Sequence, residues 1–138
     1  MKELTNRNYF EHINEKSGIS ILEFYSPSCT HCKKMEGALT KLEEAKEVDA
    51  TFIKCNTADE GTLALRYDIS SVPTIVILNG GKEVNRFIGF THPLILKDAV
   101  LKLQKQWSFI WNDYMQYYDS GGSDVYRVRT YIKIFRNF

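Results

Sequence analysis

A small α/β fold, a central mixed sheet with helices on both faces, is what this sequence predicts, and three observations predict it. A dense apolar run of strand length stands at Ile19–Tyr25, the composition of a strand covered on both sides, and Thr74–Leu78 reads as a further strand. The first run is followed by Met35, Ala38, Leu39, Leu42 and Ala45 at helical spacing and then by a second strand, Thr51–Lys54. A strand, crossover helix and strand in that order imply parallel pairing. Finally, Asn79-Gly80-Gly81 is a tight-turn signal that joins Thr74–Leu78 to Lys82–Ile88 as a hairpin with an antiparallel edge.

The remaining elements follow in order. Residues 5–18 read as a helix, with Thr5 or Asn6 as N-cap, a Phe10/Ile13 stripe and Gly18 at its end. Pro27 ends the first strand, and Cys29-Thr30-His31-Cys32 opens the crossover helix. Thr57-Ala58-Asp59-Glu60 has the form of a capping box ahead of a helix carrying Leu63, Ala64 and Tyr67. Thr91-His92-Pro93 starts a last helix. No internal repeat is visible, and the one linker-like stretch is Asp119–Asp124.

Composition bounds the function. A length of 138 residues with 43% hydrophobic and 25% charged residues suits one globular domain with a real core. A net charge of +1 steers the molecule toward neither nucleic acid nor a membrane surface. No apolar run reaches the roughly 18 residues of a membrane span. The segment Met1–Asn6 lacks a basic-then-apolar leader pattern, so the expected location is cytoplasmic.

The chain has three cysteines, and two of them, Cys29 and Cys32, lie three positions apart. A bridge over so short a loop constrains the unfolded chain little, which points to reactivity instead of stapling. The attacking species in disulfide exchange is the thiolate. A cysteine where a strand gives way to a helix meets unpaired N–H groups and the positive end of the helix dipole. Cys29 stands at that junction, and Cys32, one turn on, can attack a mixed disulfide held on Cys29. On this reading Cys29 is the exposed nucleophile and Cys32 the more buried resolving thiol. The same spacing is half of a zinc site, but zinc needs four ligands, and Cys55, His12 and His92 supply no second paired spacing. No metal and no cofactor are expected. Cys55 reads as a quiet buried thiol.

The segment Phe24–Met35 resembles the active-site segment of thioredoxins and, more closely, of protein disulfide isomerase domains. Ser71-Val72-Pro73-Thr74 is similar to the family's cis-proline loop, and Gly89 to the glycine after its hairpin. The resemblance covers about residues 3–106 and implies a thioredoxin fold. It also implies a cis Pro73 facing the cysteines, with Val72 offering backbone hydrogen bonds to an extended substrate and Gly89 beside them. Glu23 falls on the family's buried acidic position, where it would take the proton that Cys32 must lose, and Lys54 on that acid's lysine partner. A charge in an apolar strand is costly unless paired or protonated, so Glu23 calls for a reason independently. A structural Glu23–Lys54 pair is the alternative. Ser28 replaces the family's usual Trp, and Thr30-His31 replaces the Gly-Pro of thioredoxins. His31, as in disulfide isomerases, would stabilise the Cys29 thiolate and make the disulfide more oxidising than a thioredoxin's.

The fold accounts for residues 1–106 and leaves 107–138 as an aromatic-rich extension, which holds 10 of the 18 aromatic residues. Leu96, Val100, Leu103, Trp107, Ile110, Tyr114 and Tyr118 keep one helical face, which extends the last helix to about residue 118. After Gly121-Gly122, Val125–Phe135 alternates partially, as a strand would. This extension is expected to pack back on its domain or to form a homodimer.

The function that follows is exchange of disulfides with protein thiol or disulfide substrates, served by a reductase or oxidase partner. The competing reading is a thioredoxin-fold binding or oligomerisation module whose working surface is the extension.

Overall fold

Period-two alternation along the central strands sorts the side chains into two layers. The structure, a computed structural model, describes residues 1–104. In chain order it contains β1 (Lys2–Glu3), α1 (Tyr9–His12), β2 (Ile19–Tyr25), α2 (Thr30–Ala45), β3 (Thr51–Asn56), α3 (Gly61–Arg66), β4 (Thr74–Asn79) and β5 (Lys82–Ile88). A helix α4 begins at residue 93 and continues through the last described residue. The expected extension 107–138, its prolonged helix and its strand lie outside the described residues.

Among the described residues the sheet has five strands in the order β1-β3-β2-β4-β5. β1 and β2 both pair parallel with β3, while β4 runs antiparallel to β2 and to β5. The crossover through α2 and the hairpin therefore stand as the sequence implies, and the mixed sheet is that of a thioredoxin fold. β4 is buried along its whole length, which fits its place between β2 and β5.

Leu22 and Phe24 of β2, Ile53 and Cys55 of β3, and Val76 and Leu78 of β4 face one layer, packed against Leu4, Tyr9, Ile13 and Leu63. Tyr67 closes this side, its ring 5.4 Å from that of Phe24 and its hydroxyl 2.7 Å from that of Tyr9. The intervening residues, Ile21, Glu23, Lys54, Ile75 and Ile77, face the opposite layer. α2 covers that face: Lys54 reaches its Glu36, and its Met35, Leu39 and Leu42 are buried. The Thr91 N–H donates to Met35 Sδ at 3.4 Å, which sets the approach to α4 beside α2.

Two elements depart from expectation. The helix read over 5–18 is a single turn, because its polar side chains bond backbone instead. Thr5 N–H donates to Asn8 Oδ1 at 2.8 Å and Asn8 N–H to Thr5 Oγ1 at 3.3 Å, while Asn14 and Ser17 bond one another at 2.7 and 2.6 Å. Thr57 does not cap a helix either. Its hydroxyl donates to the Tyr25 carbonyl at 3.0 Å, tying the end of β3 to β2, and α3 starts only at Gly61. The hairpin turn needs its glycines: Gly80 and Gly81 have φ of 59° and 81°, and a Cβ on Gly81 would lie 3.1 Å from the Asn14 carbonyl oxygen.

Truncation tests this layering. Leu39→Ala, at a fully buried position under α2, should cost about 3 kcal/mol. Leu65→Ala, at a position 81% exposed, should cost less than about 0.5 kcal/mol. Urea denaturation of both variants checks the contrast, and equal losses would contradict the burial assigned to α2.

Candidate active site

The chain leaves β2 through a four-residue turn closed by Cys29 N–H donating to the Ser26 carbonyl at 3.2 Å, with Pro27 in the second position. Proline is pre-set for that place, and it cannot continue the strand ladder. The turn delivers Cys29 to the N-cap of α2 in an extended conformation, φ −89° and ψ 112°. Its sulfur accepts the Cys32 N–H at 3.2 Å. A side-chain oxygen usually does this at a helix start; here sulfur takes one of the otherwise unpartnered amide protons. Cys29 and Cys32 form a disulfide, with Cα atoms 5.2 Å apart. Cys29 is half-buried, whereas Cys32 is 2% exposed. His31 is exposed on the same first turn.

Three further residues meet at this end of the sheet. The Val72–Pro73 peptide bond is cis. The Val72 carbonyl oxygen lies 3.9 Å from Cys29 Sγ, and buried Pro73 accepts the Gly89 N–H at 2.8 Å. Gly89 has φ of 85°, a conformation a side chain would strain, and a Cβ there would meet open space. Glycine is thus required by backbone conformation and not by crowding.

The register puts Glu3, Lys54 and Glu23 side by side on β1, β3 and β2, in one row on the face that α2 covers. Glu23 is fully buried, and neither carboxyl oxygen has a hydrogen-bond partner among the described residues. Burial is the main cause that pushes its pKa up to about 8, with the nearby Glu36 and Glu3 charges adding and Lys54 opposing. Lys54 lies beside Glu23 in register, but its ammonium bonds Glu36 Oε1 at 2.7 Å and stands 3.9 Å from Glu3 Oε2. The expected lysine is therefore next to the acid without forming an ion pair with it. The Tyr25 hydroxyl donates to Glu3 Oε1 at 2.7 Å. Burial, with that hydrogen bond to Glu3 next, raises its pKa.

Glu36, Glu3 and Tyr25 escaped the reading of the sequence. Glu36 stands four residues after Cys32, which puts both on one side of α2, and Tyr25 shares the Glu23 side of β2 by alternation; either spacing could have flagged them. Glu3 had no such signal, because a two-residue strand leaves no periodic pattern. Cys55 is buried on the other face of the sheet, and burial first, then the Glu60 and Glu3 charges, push its thiol up to about 12. It stays protonated and is a poor nucleophile. Among the described residues no three His, Cys, Asp or Glu side chains are grouped to hold a metal ion. None of the described helices is long and apolar enough to cross a membrane.

Two sulfurs held at a helix start can give up two electrons by closing a disulfide and take them back as two thiols, and that reversible chemistry is the business of thiol–disulfide oxidoreductases. Comparison with known proteins agrees. The family model described as Thioredoxin matches residues 1–102. Mitochondrial thioredoxin-3 of Saccharomyces cerevisiae is 29% identical over 101 residues, covering 73% of this chain and 78% of the relative. The solved oxidised form of that protein superimposes with a TM-score of 0.65 at 27% identity, covering 74% of this chain and 94% of the other. Protein disulfide-isomerase A4 of Bos taurus is 36% identical over 85 residues, 59% of this chain and 13% of the isomerase. The chain belongs to the thioredoxin family. It is a protein-disulfide oxidoreductase working through its Cys29/Cys32 pair.

The raised Glu23 pKa gives stability a definite pH dependence. Between its unfolded value of 4.5 and about 8 the folded state holds a proton that the unfolded chain has released. Rising pH therefore destabilises the fold by up to about 1.4 kcal/mol per unit across that window. Glu23→Gln removes the titration. Its stability advantage over wild type should be small near pH 4.5, grow to several kcal/mol by about pH 8, and level off above. Urea denaturation of the oxidised proteins across this range measures it, and a pH-independent difference would refute the assignment.

Proposed function

We propose that Cys29 is the attacking sulfur, Cys32 the resolving thiol and Glu23 the acceptor of the Cys32 proton. In the reductive direction the Cys29 thiolate attacks a protein disulfide, a Cys29–substrate disulfide forms, and one substrate sulfur leaves as thiolate. Cys32 then gives its proton to Glu23 and attacks Cys29 Sγ, the substrate's second sulfur departs as thiolate, and the protein is left as its disulfide. A reductase partner would return two electrons to the pair; with an oxidase partner the same steps run backward. The observation that carries this reading is the Cys32 N–H donating to Cys29 Sγ at 3.2 Å. That hydrogen bond strengthens when the sulfur is anionic, which favours the thiolate on Cys29.

Glu23 is supported as the proton acceptor by its place on the α2-covered face, one turn of α2 separating Cys32 from the residue that Lys54 reaches. Val72, Pro73 and Gly89 would line the docking site for an extended substrate segment, with Val72 supplying backbone hydrogen bonds. Lys54 would tune Glu23, and His31, exposed beside Cys29, would stabilise the thiolate when protonated. The redox unit would end near residue 106, in keeping with the family match over 1–102.

Insulin reduction tests the roles. Cys29→Ser should abolish turnover. Cys32→Ser should trap the Cys29–substrate disulfide, detectable by mass, while Glu23→Gln should slow only the resolving step. Wild-type turnover in Cys29→Ser would exclude it as the nucleophile. For His31, replacement by Ala should lower the reduction potential by tens of millivolts in a glutathione redox titration, and an unchanged potential would remove it from the site.

A further inference from the structure

Around Glu23, one ammonium serves three carboxyl groups. Glu3, Lys54 and Glu23 form the row across β1, β3 and β2, and Glu36 reaches the same ammonium from α2. Ionised together, the three acids would leave two negative charges uncompensated beside a low-dielectric interior. Lys54 can face one acid closely, and it faces Glu36, at 2.7 Å, with Glu3 next at 3.9 Å. Both of those side chains reach solvent, 36% and 43% exposed, where ionisation is cheap. Glu23, fully buried and without a hydrogen-bond partner among the described residues, is the group left over.

We propose that Glu36 is a positioning residue for the exchange reaction: by holding the Lys54 ammonium to itself, it leaves the Glu23 carboxyl without an ionic partner and so sets the pH at which that group gives up its proton. The inference rests on the reading of Glu23 as proton acceptor for its consequence in catalysis, but its electrostatic content stands apart from that reading.

The groups facing Glu23 can be named element by element. β1 contributes Glu3, β3 Lys54, and α2, which also carries Cys32, contributes Glu36; β2 itself contributes Tyr25, engaged with Glu3, and β4 presents Ile75, which carries no charge. Of these, only Glu36 is hydrogen-bonded to the ammonium. Its removal takes away a negative charge and frees a positive one, and both changes favour ionised Glu23. Loss of Glu3 removes a charge but leaves Lys54 on Glu36, so its effect should be smaller. With Glu36 present, Glu23 holds its proton longer, and the resolving step gains speed only as pH rises; without it, the step opens at lower pH.

The test is an infrared titration of the protonated carboxyl stretch in the oxidised protein, assigned to Glu23 by its loss in Glu23→Gln. Glu36→Ala, on a half-exposed helical position that tolerates alanine, should lower the Glu23 midpoint by about one unit, a tenfold change in proton affinity. Glu36→Asp should restore part of the shift, and Glu3→Gln should move it less than Glu36→Ala. The pH profile of mixed-disulfide resolution, followed by stopped flow, should move in parallel in Glu36→Ala. A midpoint unmoved by Glu36→Ala overturns the inference, as does one moved equally by Glu3→Gln. If the infrared midpoint moves while Glu23→Gln keeps the wild-type resolution profile, Glu36 controls Glu23 as argued, and it is the proton-acceptor role of Glu23 that fails.

Discussion

The structure turns on a sulfur used as a helix cap. Cys29 Sγ accepts the Cys32 N–H at the start of α2, so one contact satisfies an amide at the helix start and gives an anionic sulfur a partner. It also fixes the second cysteine. The residue whose N–H reaches the cap stands three positions on, and its side chain lies on the same turn, within reach of a disulfide. Pro27 and the Ser26–Cys29 turn hold the cap in extended backbone, so the sulfur is placed by main chain and not by a flexible side chain.

The second constraint is electrostatic. A carboxyl inside a sheet is tolerated only if it is paired, hydrogen-bonded or neutral. The parallel register of β1, β3 and β2 offers Glu23 a lysine as its immediate neighbour, yet that lysine is drawn outward by Glu36 and Glu3. Neutrality is what remains. Burial accounts for most of the raised pKa, and the surrounding acids add to it. A group poised near neutral pH can both take and return a proton, which suits an exchange reaction that runs in either direction.

Much of this was legible in residue order. The β2–α2–β3 crossover, the hairpin, the cysteine pair and the odd acid at Glu23 each announce themselves through composition or period. The elements that misled were polar. Residues 5–18 carry the cap, stripe and terminal glycine of a helix, but the side chains of Thr5, Asn8 and Ser17 bond backbone in a way that stops the helix after one turn. Thr57 has a capping-box sequence, but the neighbouring strand's carbonyl outcompetes the helix for its hydroxyl. The family pattern makes Lys54 the companion of Glu23, and the two do stand side by side; the ammonium bonds Glu36, which comes from another element, and pairings between elements are what a linear pattern conveys least.

Why the reactive groups meet at one edge follows from topology. β2 ends where α2 begins, so Cys29 lies at the carboxyl end of a strand. β4 runs antiparallel to β2, with Phe24 opposite Thr74, so the residues just before β4, Val72 and Pro73, arrive at that same end. β5 runs antiparallel to β4 in turn, with Ile88 opposite Thr74, and Gly89 is its next residue. Two segments far apart in sequence are thus brought beside the cysteines by two antiparallel pairings, and the Gly89 N–H to Pro73 carbonyl bond ties them together. Parallel pairing of β4 with β2 would have sent Pro73 to the opposite end of the sheet. The mixed sheet is therefore a condition of the chemistry: the parallel half supplies the helix that holds the sulfurs, and the antiparallel half supplies the surface that faces them.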